Sequence, residues 1–167
     1  MSAELYSQIT AGLKKNKDTI LSVLFALPKN QEKKMNLKEY FTKTRGRGVL
    51  SSADAEGRIT TAIYSTPVVR NDNLIAFVTR EHLTYANLQT NPYAAYLFME
   101  DRNSLAGVRL YLKKTGEDDD PELLASMTRR YLTPAEEKAK GPKHLIYFEV
   151  EKILPLVGDR EAKISIA

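Results

Sequence analysis

The only imidazoles in the chain are His82 and His144, 62 positions apart, and cysteine is absent. One chain therefore cannot build a three-histidine zinc site, a thiolate site, an iron–sulfur cluster or a cysteine nucleophile. Arg45-Gly46-Arg47-Gly48 has the residue types of a phosphate loop, but no helix pattern follows it to donate amides. The GxGxxG, GxxxxGK[ST] and GxSxG patterns are missing. Asp54 and Glu56 form a close carboxylate pair within a turn sequence, where a solvated surface is the better reading. The acidic run Glu117-Asp118-Asp119-Asp120 lacks the glycine and closing glutamate of a calcium loop. It precedes Pro121 and Glu122 and reads as a helix start capped by Asp120. No metal site is expected.

Charge separates the chain into two parts. Residues 1–47 hold ten Lys/Arg against four acids, a net of +6, while the remaining residues carry 15 bases and 17 acids, a net of −2. A basic arm can track phosphates, but this one has no helix-turn-helix spacing, zinc ligands or RNP-like aromatics, so no nucleic-acid partner is expected. Its lysines flank apolar helical stretches, as on a solvated helix face. The longest apolar-leaning run, Ile20–Leu27, has eight residues, against about 20 needed to span a bilayer. No basic n-region opens the chain, so a cytoplasmic protein without membrane contact is expected. With 167 residues, it is long enough to bury about 70% of its unfolded surface without a staple.

Helical spacing of Leu5, Ile9 and Leu13, then of Ile20, Leu21, Leu24 and Phe25, predicts one broken helix or two short ones over 3–27. Asn36 with Glu39 predicts a two-turn helix carrying Leu37, Tyr40 and Phe41. Strands are expected at 48–53, 59–64, 74–78, 93–99, 108–114 and 145–157. A short helix over 83–88 lies among them, and Gly57 makes the first hairpin turn. Six short strands with isolated helices indicate a mainly β fold, a mostly antiparallel barrel with helical additions. The expected divisions are an N-terminal helical extension over 1–44, a barrel domain over 45–157 and a C-terminal tail over 158–167.

Two phrases carry more than composition. Val49-Leu50-Ser51-Ser52-Ala53-Asp54-Ala55-Glu56-Gly57-Arg58 resembles the "VLATVDxxGxP" opening of the pyridoxamine 5′-phosphate oxidase-like, FMN-binding split-barrel family. Phe77-Val78-Thr79-Arg80-Glu81-His82-Leu83-Thr84-Tyr85-Ala86-Asn87-Leu88-Gln89-Thr90-Asn91-Pro92 resembles that family's strand-then-helix phrase, which continues into Tyr93–Phe98. The resemblance covers roughly 45–157.

It implies a six-stranded antiparallel split β-barrel, a homodimer, and FMN in grooves between the subunits. It maps the flavin ring along Ala62, Ile63, Tyr64, Ser65 and Thr66. It maps the ribityl phosphate to Val78, Thr79, Arg80, His82, Leu83 and Thr84. A helix N-terminus offers free amides to a dianion there, and Arg80 can add a charge-assisted fork. The authentic oxidases carry an Arg at the place of Ala62, an Arg-Lys pair at Leu83-Thr84, and an Arg-Leu-His-type segment where this chain has Lys163–Ala167. Pyridoxamine phosphate oxidation itself is therefore not expected. The resemblance implies instead an FMN-dependent oxidoreductase acting on another small substrate. The alternative is a flavin, haem or deazaflavin carrier without turnover.

Overall fold

The computed structural model describes residues 34–71, 73–128, 132–160, 162 and 164–165. All belong to the second of the two units into which the chain divides, residues 34–167. The helices expected over 3–27 lie outside the described residues.

Seven strands form one antiparallel sheet: β2 (Gly46–Ala53), β3 (Ile59–Tyr64), β4 (Val68–Val69), β5 (Leu74–Arg80), β6 (Tyr93–Glu100), β7 (Asn103–Asp118) and β8 (Lys143–Pro155). Their order is β3-β2-β6-β7-β8-β5-β4, so β3 and β4 are the two edges. The protein is mainly β and has the split-barrel architecture expected. The sheet has one strand more than the six predicted, because Val68–Val69 pairs with Ile75–Ala76. Two residues are too few to show a period of two in sequence. A separate pair joins β1 (Met35–Asn36) in parallel to β9 (Ile164–Ser165) and buries Ile164.

Among the described residues, four helices punctuate the sheet: α1 (Leu37–Lys43), α2 (Leu83–Thr90), α3 (Pro121–Met127) and α4 (Pro134–Ala139). Asn36 caps α1 by accepting from the Glu39 amide at 2.8 Å. Asp120 caps α3 by accepting from the Leu123 amide, also at 2.8 Å, with Pro121 in the first turn. The acidic run is therefore half strand and half cap. α4 was not anticipated, although its Thr133-Pro134-Ala135-Glu136 sequence spells the reciprocal capping box that the structure shows.

Alternation turns Gly48, Leu50 and Ser52 of β2 inward, and Val49, Ser51 and Ala53 outward. The interior is aromatic. Tyr96, Phe98 and Phe148 are fully buried, Phe77 lies 4.8 Å from Tyr96 between ring centroids, and Phe41 of α1 lies 5.3 Å from Phe98. Burying each such side chain contributes about 1.5–3 kcal/mol, and ring pairs such as the edge-on Phe41–Phe98 contact add to it. Gly57, at φ +79°, makes the β2–β3 turn, in which its amide returns to the Asp54 carbonyl.

Candidate functional site

The sheet's β3 edge runs out beside the end of β5, and three aromatic residues hold that seam together. Tyr96 of β6 donates its hydroxyl to the Ser65 carbonyl at 3.0 Å, which fixes the chain as it leaves β3. This path exists only because residue 48 is glycine: a Cβ there would lie 1.9 Å from the Tyr96 hydroxyl. Tyr64 then crosses from β3 to β5. Its hydroxyl and Thr79 Oγ1 are 2.7 Å apart, and its ring meets Phe77 edge-on at 5.7 Å. One bridge thus joins the segment Ala62–Thr66 to the segment Val78–Thr84, which are separate in sequence. Within the first segment, Ala62 is half-buried opposite Leu50, Ile63 projects outward with 85% exposure, Ser65 is exposed and Thr66 is half-buried.

The second segment turns at Glu81-His82 into α2. His82 occupies the N-cap with extended backbone, and no side chain caps the helix. Leu83 stands exposed. Thr84 is only 5% exposed, and its hydroxyl makes no hydrogen bond among the described residues. No fully buried side-chain oxygen of the described residues lacks a partner, so the Thr84 hydroxyl is not fully enclosed. Uncapped amides, the positive end of the helix dipole and a waiting hydroxyl together suit an anion.

The asparagines of the Asn87…Asn91-Pro92 phrase hold this helix in place. Asn87 is buried and donates Nδ2 to Ser52 of β2, at 3.2 Å to Oγ. Asn91 donates to the Asp54 carbonyl at 3.3 Å and accepts from the Tyr93 amide at 3.0 Å. Asn87→Ala leaves the buried Ser52 without its donor and is expected to cost about 1–3 kcal/mol of stability. Urea unfolding monitored by tyrosine fluorescence measures that loss.

Charge around the helix start is tightly paired. Arg80, largely buried, turns its guanidinium toward α4, donating to Glu137 at 3.0 Å and to the Gly141 carbonyl. Lys143 also pairs with Glu137. The Lys143 and Arg80 contacts outweigh burial and hold the Glu137 carboxyl below the usual range. On the other side, His144 Nε2 lies 3.2 Å from Glu81 Oε1, and the His144 ring stacks on Tyr85 at 4.3 Å. Glu117 receives Lys114 at 2.7 Å and Gln89 at 3.2 Å, which lower its carboxyl against the opposing effect of burial. Sequence reasoning did not single out Gly48, Tyr96, Glu81 or His144 for the site. Their roles depend on which strands become neighbours, as when β5–β8 pairing sets His144 opposite Thr79.

Two further features lie apart from the seam. Arg109 donates to the Pro155 carbonyl at 3.0 Å and to that of Gly158, so it ties β7 to the segment following β8. A mostly apolar cavity of about 480 Å³, lined by Met35, Leu105, Val108 and Ala162 and edged by Glu100, shares no residue with the seam. Arg160 also lines it, but none of its lining residues opens a helix, as Leu83 opens α2 at the seam.

The sequence model of the pyridoxamine 5′-phosphate oxidase family matches residues 37–156. The chain belongs to that family. Among solved structures it is similar to an FMN-binding protein from Syntrophomonas wolfei subsp. wolfei, with 20% identity, 89% of this chain and 99% of that chain covered, and a TM-score of 0.59. It is also similar to HupZ of Group A Streptococcus, with 15% identity, coverage of 75% and 95%, and a TM-score of 0.55. A third similar structure is an F420 reductase, with 13% identity, coverage of 77% and 98%, and a TM-score of 0.53. At these identities the likeness is one of fold. No curated protein matches the chain. Among the described residues, no helix is long and apolar enough to cross a membrane. As a member of the pyridoxamine 5′-phosphate oxidase family, the chain carries both phrases inside the matched region, and the structure joins them through Asn87 to Ser52 and Asn91 to Asp54.

Proposed function

We propose that the protein is a cytoplasmic, homodimeric FMN-dependent oxidoreductase acting on a small substrate. The observation that carries this reading is the partnerless Thr84 hydroxyl at the uncapped start of α2, beside the Tyr64–Thr79 bridge. The phosphate lies against the α2 amides, Thr84 and His82, with Arg80 supplying charge from the end of β5. The ring lies along the β3 exit from Ala62 to Thr66. Bound flavin supplies the redox chemistry, while the chain binds it, orients it and limits its exposure to water. The similar Syntrophomonas wolfei structure, an FMN-binding protein of the same fold, supports this choice of cofactor. Ala62, Leu83 and Thr84, where the authentic oxidases carry arginine, arginine and lysine, favour a substrate other than pyridoxamine phosphate.

The outer sheet face supports the dimer. Ile63, Val49 and Leu97 form one outward row across β3, β2 and β6, with Thr61, Ser51, Ala95 and Tyr111 in the next. Ile59 and Ile63 are 77% and 85% exposed in the single chain, and Tyr93 and Tyr111 are 54% and 41% exposed. An apolar patch of this kind marks an interface, and a second copy related by a twofold axis covers it while walling the seam.

Titrating apo protein with FMN tests the reading. Flavin fluorescence should be quenched at one FMN per chain, and ligand at 100 times its dissociation constant should stabilise the fold by about 2.7 kcal/mol. Neither quenching nor a rise in Tm at ligand well above micromolar overturns it. Parallel titrations with a deazaflavin and with haem identify the cofactor, and a screen of reductants and acceptors separates an enzyme from a carrier.

A further inference from the structure

We propose that His144 is a positioning residue that draws an intrinsic competitor, the Glu81 carboxylate, away from the anion site at the start of α2. The inference rests on the flavin reading above. Glu81 stands in the turn immediately before the His82 N-cap, with a half-exposed side chain. A carboxylate at that place is the natural partner of uncapped helix amides, since it satisfies free N–H groups and complements the dipole. In this protein the carboxylate does not cap α2. It reaches across to β8, where His144 Nε2 holds Oε1 at 3.2 Å.

The imidazole is itself held firmly. Its ring stacks on Tyr85 at 4.3 Å with an interplanar angle of 18°, and its side chain is only 14% exposed. Strand pairing sets its backbone opposite Thr79, the residue that carries the seam bridge. Tyr85 also ties the cluster to β7, donating its hydroxyl to Glu117, which Lys114 in turn neutralises. The clamp therefore has one movable part, Glu81. While His144 holds it, the first-turn amides and the Thr84 hydroxyl stay open to an incoming phosphate. Without His144, Glu81 is free to swing back onto the helix start, where it competes with that phosphate by occupancy and by charge.

The experiment compares FMN with riboflavin, which has the same ring system but no phosphate. His144→Phe keeps a ring for Tyr85 to stack on and removes the hydrogen bond. It should weaken FMN roughly threefold to tenfold, the scale of one charge at a helix terminus, and leave riboflavin unchanged. Adding Glu81→Gln should restore FMN affinity, and Glu81→Gln alone should bind FMN at least as tightly as the wild type. A purely structural role for His144 would weaken both ligands and would not be rescued at position 81. Equal weakening of both ligands, or failure of the rescue, overturns the clamp and leaves wild-type FMN binding intact. Lack of FMN binding by the wild-type protein overturns the flavin reading and the clamp together.

Discussion

Ile63→Glu is expected to convert the protein from dimer to monomer at tens of micromolar and to abolish tight FMN binding with it. Ile63 is 85% exposed in the single chain, so the fold has little to lose. Exposed substitutions of this kind change stability by about 0.5 kcal/mol or less. In the proposed dimer the same position lies in the apolar row with Val49 and Leu97, within the Ala62–Thr66 segment of the seam. A twofold axis brings two such rows together, and facing or desolvated glutamates there cost several kcal/mol, on the order of a hundredfold or more in the dimer constant. Sedimentation velocity reads the association state, circular dichroism reads the fold, and flavin quenching reads the site. A variant that stays dimeric and binds FMN normally would remove this face from the interface.

Arg80→Ala is the second large effect. If its guanidinium holds the flavin phosphate, its loss costs about 1.5–3 kcal/mol, a tenfold to hundredfold weaker FMN, while riboflavin barely responds. Arg80 already serves Glu137 and the Gly141 carbonyl, two demands on a group with five N–H donors. Glu137→Gln is therefore the necessary companion. It removes the acid that offsets Arg80 and leaves FMN affinity equal or higher, so a loss seen only in Arg80→Ala reports on the phosphate. If FMN and riboflavin weaken by the same factor, Arg80 serves α4 or the ring, and the phosphate is held by the helix amides and Thr84.

What the sequence determined by itself were the features governed by short-range physics. β-branched and aromatic residues set the run of β3 at Ile59–Tyr64, and side-chain capping set the starts of α1 and α3 at Asn36 and Asp120. A left-handed glycine set the first hairpin at Gly57. The motif phrases pointed to the family and to the two segments of the candidate site, because those phrases lie within one strand-turn-strand and one strand-helix unit. Only the tertiary structure decided which strands became neighbours, and the working details follow from that. A barrel ordered β3-β2-β6-β7-β8-β5-β4 leaves its edge next to β5, so Tyr64 finds Thr79 fifteen residues away. It runs Tyr96 beneath Gly48 to reach Ser65, and it lays His144 against Glu81 across 63 residues. It also commits Arg80, in sequence a free arginine at a strand end, to an acid on a helix more than fifty residues later. Hydrogen bonds and ion pairs of this kind are set by distances in space, and local residue patterns carry no record of a partner that strand pairing alone brings near.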